Sequence, residues 1–185
     1  MTTAGALAMP PARRRGILAL ALASLPLAGC GFFSTEVPPP CLPVVVLRDA
    51  AEVVRYRPGA GRDLTDVIDR ATFRQFGTKC DYEKDRVEVD LFVDIIAEQG
   101  PAASSREIRA PYFVAVVDVD GNILAKEVFE SVIQLEEGQR RGGVREETEQ
   151  IVPLATPNDR RHYEIMIGFQ LTREQLEDNR RRQQQ

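Results

Sequence analysis

The sequence predicts an all-β sandwich of about seven strands, followed by a short C-terminal helix. Three observations carry this expectation. Short β-branched or alternating apolar runs recur from Leu42 onwards, turn-forming pairs punctuate them at near-regular spacing, and no long helical pattern interrupts them.

The elements follow in order. LPVVVLR is a short β-branched run, and AEVVRYRP is a second that stops at Pro58-Gly59, a breaker pair. DVIDRATFRQFGTKC, from Asp66 to Cys80, alternates: Ile68, Arg70, Thr72 and Arg74 fall on one side, Ala71 and Phe73 on the other. The clearest strand is VEVDLFVDI. Its Val87, Val89, Leu91, Val93 and Ile95 share one face, while Glu88, Asp90 and Asp94 share the other, and Gly100-Pro101 lies just beyond it. PYFVAVVDVDGNILAKEVF holds two apolar runs around Asp120-Gly121, a hairpin signal. Ala125 to Glu137 also fits an amphipathic helix through Leu124, Val128, Val132 and Leu135. Its β-branched content and the preceding turn favour a strand, with a bulge expected near Glu130. EQIVPL and HYEIMIGFQL complete the strands. Thr172 and Gln175 have capping-box spacing, so TREQLEDN is expected to form one or two helical turns before a frayed tail from Arg180 to Gln185.

The N-terminal segment reads differently. Arg13, Arg14 and Arg15 precede the apolar run GILALALASLPLAG, which is too short to span a bilayer, where about 20 apolar residues are needed. This order of a basic region before an apolar one is that of a secretory signal. The segment ends in Leu27-Ala28-Gly29-Cys30, which resembles the lipobox of bacterial lipoproteins. That resemblance implies diacylglycerol on the Cys30 thiol, cleavage before Cys30 and a stable multi-chain anchor. An ordinary signal peptide with a chance cysteine is the alternative. By the same resemblance, Gly31 in place of an Asp points to the outer membrane rather than the inner. Arg14-Arg15 also partly resembles a twin-arginine signal but lacks its flanking residues, so the general export route is expected. Residues 1–29 are thus expected to be removed, and residues 30–40, ending in Pro38-Pro39-Pro40, to form a stiff tether to a domain over 41–171 with its helix and tail over 172–185.

The two cysteines beyond the tether, Cys41 and Cys80, make an even pair, and an exported chain permits a disulfide between them. Two free thiols are the alternative. Their spacing differs from the inter-sheet bridge of antibody domains, so the resemblance to immunoglobulin-like and fibronectin-like domains is one of architecture. YFVAVVD, ILAKEVF and GFQLTREQLEDNRR also resemble a group of alphaproteobacterial lipoproteins, a likeness that brings no activity with it.

Charge narrows the function classes. Removing the three signal arginines from 24 basic side chains leaves 21 against 28 acidic ones, a net charge of −7. Such a surface exerts no general pull on nucleic acid.

Motifs for chemistry are sparse. Asp118-Val119-Asp120-Gly121-Asn122 suggests a calcium loop, but Gly stands fourth and Phe129 occupies the twelfth position, so a tight turn is the better account. His162 is the sole histidine, with no partner cysteines or histidines at zinc spacing and no G-x-S-x-G elbow elsewhere. Pro58 to Arg62 lacks the Lys-Ser/Thr of a phosphate loop. No catalytic residue, metal ligand or cofactor is therefore expected.

The mixed-charge run EEGQRRGGVREETEQ, Glu136 to Gln150, is expected to be a solvated loop whose Arg140, Arg141 and Arg145 face a partner. The functional expectation is a lipid-anchored, periplasm-facing binding or scaffold module with an envelope protein as partner. A small-ligand binder or hydrolase whose site forms only in three dimensions is the alternative.

Overall fold

The computed structural model describes residues 40–59, 61–156 and 159–184. The signal, Cys30 and all of the tether but Pro40 lie outside them. Among the described residues, no helix is long and apolar enough to cross a membrane.

Among the described residues, eight strands form two four-stranded sheets. They are β1 (Val44–Val46), β2 (Glu52–Tyr56), β3 (Val67–Tyr82), β4 (Arg86–Gln99), β5 (Glu107–Asp118), β6 (Ile123–Gln134), β7 (Arg141–Pro153) and β8 (Tyr163–Phe169). Helix α1 covers Arg173–Gln183. One sheet has the order β1-β8-β5-β6 and the other β2-β3-β4-β7. The only parallel pair among them is β1 with β8. This is the expected all-β sandwich, with a strand order unlike that of immunoglobulin constant domains, whose first two strands share a sheet.

The alternation in β4 does what its pattern dictates. Val87, Val89, Leu91, Val93, Ile95 and Ala97 are buried against the opposite sheet, joined by Tyr112, Val114, Ile165, Ile167 and Phe169. Phe73 and Phe169 stack across the sheets with centroids 4.2 Å apart. β5 is apolar without alternation because both faces are covered. Phe113, Ala115 and Val117, on the outer face, pack with Ala50, Met166 and Leu171.

The two flanks of the sandwich close differently. Cys41 and Cys80 are bonded, with Cα atoms 5.3 Å apart, so the residues leading into β1 are fastened to β3 of the other sheet. The Tyr82 hydroxyl adds a 2.7 Å hydrogen bond to the Pro40 carbonyl. On that flank a 3-10 turn at Arg48–Ala50 links β1 to β2, and α1 lies against it. Asn179 donates from Nδ2 to the Asp49 carbonyl at 2.9 Å and to the Glu52 carbonyl at 2.7 Å. On the far flank, the edge strands β6 and β7 are joined by the short turn after Gln134, with Gly138 at φ 80°.

Four expectations need correction. The run Glu136–Gln150 is not a loop: beyond a turn at 136–140 it is strand, in register with β4 from Glu98↔Arg141 to Arg86↔Pro153. The bulge in β6 lies at Leu124, where pairing jumps from Val116↔Ala125 to Val117↔Ile123, and not near Glu130. A further bulge at Arg74 resets the alternation of β3. The basic tail is helical through Gln183, because its Arg180 and Gln183 bond to Asp49 and Arg48 just beyond the docked Asn179. The capping box of Thr172 and Gln175 is present as expected.

Candidate binding surface

The outer face of sheet β2-β3-β4-β7 is a ladder of cross-strand ion pairs. Asp94 stands opposite Arg145, and their side chains form a two-pronged bridge, Nε to Oδ1 at 2.7 Å and Nη2 to Oδ2 at 2.8 Å. The same guanidinium lies 4.5 Å over the Phe92 ring. Phe92 in turn lies across Gly77, where a Cβ would approach Cε1 to 2.5 Å, so the glycine lets the ring lie flat on the sheet. Two rungs further, beyond Ile96 and Gly143, Glu98 accepts from Arg70 at 2.8 Å and pairs with Arg141 at 3.3 Å. Hydrogen bonding to Arg145 holds the Asp94 carboxyl below its ordinary range, and Arg70, then Arg141, do the same for Glu98.

The three arginines expected to meet a partner are thus not on one flexible loop. Arg140 sits in the turn and donates to the Gln99 carbonyl at 3.3 Å, while Arg141 and Arg145 project from β7 onto carboxylates of β4. Their side chains are still 61% and 51% exposed, and a guanidinium has five donors, so each keeps donors directed at solvent.

The opposite face of β7 carries groups that the loop reading missed. Glu146, Thr148 and Gln150 point between the sheets, bracketed by Val144 and Val152. The buried Ser131 hydroxyl donates to Glu146 Oε1 at 2.8 Å. Burial, reinforced by the charge of Glu146, pushes the Tyr112 hydroxyl up to about 12. Thr148 Oγ1 is a buried oxygen without a hydrogen-bond partner. The signal for this row was present as a period-two pattern in VREETEQIV, hidden because its inward members are polar.

His162 is exposed, at the end of a 3-10 turn spanning Asp159–His162, on the rim of an open depression of about 330 Å³ that Arg161, Tyr163 and Glu164 also line. Asp118 reaches the same rim but serves the hairpin. Its carboxylate accepts from the amides of Asp120 at 3.0 Å and Asn122 at 2.8 Å and from Asn122 Nδ2 at 2.9 Å, with Gly121 at φ 80°. Those bonds, Asn122 foremost, lower its pKa. The acidic turn is therefore built from its own amides. Among the described residues, no three His, Cys, Asp or Glu side chains are arranged to hold a metal ion.

A further exposed feature is β6. Ile123, Leu124, Val128 and Val132 are 63%, 54%, 55% and 42% exposed, an apolar display along an edge strand. No family model matches the chain, and no curated protein or solved structure matches it significantly.

Proposed function

We propose that this chain is a lipid-anchored, non-enzymatic binding module of the bacterial envelope, held at the periplasmic side of the outer membrane by Cys30. The observation that carries the reading is the Cys41–Cys80 bridge. Structural disulfides persist in oxidising compartments such as the periplasm. With two of three cysteines so paired, the third is Cys30, the last residue of the lipobox-like stretch. The tether raises the effective concentration of the domain for anything on the same membrane, so modest affinity suffices.

The partner surface is the ladder on β4 and β7, where Arg141 and Arg145, beside Arg140, offer donors to an acidic segment of an envelope protein. A partner carboxylate there extends an existing row of charges, and the rung beneath it stays intact.

Cys30→Ser tests the anchor. The substituted chain is expected to take up no labelled fatty acid and to leave the membrane fraction while keeping its melting behaviour. Normal labelling and membrane retention of that variant overturn the reading.

A further inference from the structure

Four strands end the two sheets, and three are defended against pairing. β1 has three residues and β2 has five, the latter stopping short of Pro58. β7 is long but ends in Pro153, and the register that would pair all of it with a copy of itself opposes Glu147 to Glu147. Like charges directly opposite disfavour a ladder.

β6 differs. Its twelve residues, ILAKEVFESVIQ, contain neither proline nor glycine. Cross-strand partners share a sheet face, so an antiparallel two-fold pair must be centred on a residue. Centring on Glu127 opposes two glutamates, and centring on Phe129 sets Lys126 against Val132. Centring on Val128 places Lys126 opposite Glu130 twice, with Val128 against Val128 between them. It also sets Ala125 against Ser131 and Glu127 against Phe129 on the other face. The bulge at Leu124 ends the paired stretch on each side. Val128 is 55% exposed, and the Lys126 and Glu130 side chains are exposed too.

We infer that β6 is a self-pairing edge, which joins two copies of this chain into one eight-stranded sheet about a two-fold axis at Val128. Glu130 already meets Arg109 at 3.0 Å, and Lys126 of the second copy becomes its further cation. The inference concerns the folded domain and does not depend on lipidation.

The register makes the test positional. At the axis, the two Val128 Cα atoms would stand ~4.5–5.5 Å apart, inside disulfide range, whereas the two Lys126 positions would be ~14 Å apart. Val128→Cys in the full chain should give an interchain disulfide dimer under mild oxidation, and Lys126→Cys should give several-fold less. Equal yields at both positions, or no dimer from Val128→Cys, overturn the inference. The charge exchange supplies a second measurement, by sedimentation of the full chain. Lys126→Glu and Glu130→Lys should each weaken dimerisation, and the double exchange should restore it. A double variant no better than the singles, or a parent that is monomeric at every concentration, also overturns the inference.

Discussion

The two flanks of this sandwich are built on opposite principles. At the β1/β2 flank short edge strands are covered: the disulfide fastens the residues before β1 to β3, and helix α1 bonds to the 3-10 turn at Arg48–Ala50 and to the start of β2. At the β6/β7 flank long edge strands stand open, one dressed with apolar side chains and the other with charges. Edges are where sheets recruit further strands, so a domain that closes one flank covalently and leaves the other long and exposed has a direction. The stapled flank is closed, and the open flank is available for contact.

The largest expected effect breaks the stapled flank. Its bridge closes a loop with a sequence separation of 39. In the chain-entropy account, losing a loop of that length costs about 4 kcal/mol. Cys41→Ser, or reduction of the parent, should lower the urea midpoint accordingly. An unchanged midpoint would mean that α1 and its hydrogen bonds hold this flank unaided.

A smaller change separates the helix from the bridge. Asn179 is 4% exposed and serves two backbone carbonyls, one in the strand-linking turn and one at the start of β2. Asn179→Ala leaves both acceptors short of a donor, at about 2 kcal/mol. Hydrogen exchange should then rise at β2 and α1 while β6 and β7 keep their protection. Uniform loss of protection would show that the flanks do not open independently.

The smallest effect belongs to the open flank. Asp94 and Glu98 titrate below the ordinary carboxylate range in the folded chain. The unfolded chain therefore binds protons first, so their stabilisation is whole above about pH 4 and is lost as pH falls through the lowered native values. The bridge is exposed and screened, so Arg145→Ala should change the midpoint only slightly at pH 7. That gap should close on acidification. A gap that persists in acid would assign the effect to packing on Phe92 instead of charge.

The same contrast explains what the sequence made legible. β4 was readable because its inward residues are all apolar and its outward ones mostly charged. β7 was not, because Glu146, Thr148 and Gln150 occupy inward positions and its outward arginines resemble a solvated loop. Period-two alternation was there, but in size and partner rather than hydropathy. The extension of α1 was missed for a related reason. Its buried residues are Asp178 and Asn179, so it docks through polar bonds to a turn 130 residues away and carries no apolar stripe. The disulfide followed from the cysteine count and the expectation of export, whereas the opposition of Arg145 to Asp94 across 51 residues needs a register that no local pattern encodes.

The position of the bridge also sets how the domain would bear a load. A pull on the chain ahead of Cys41 is shunted through sulfur into Cys80, so the segment between them, with β1, β2 and most of β3, forms a closed loop outside the line of tension. Tension passes from Cys80 through the last residues of β3 towards β4, whose pairing begins at Tyr82↔Val87. The three-residue β1 is thereby spared from peeling.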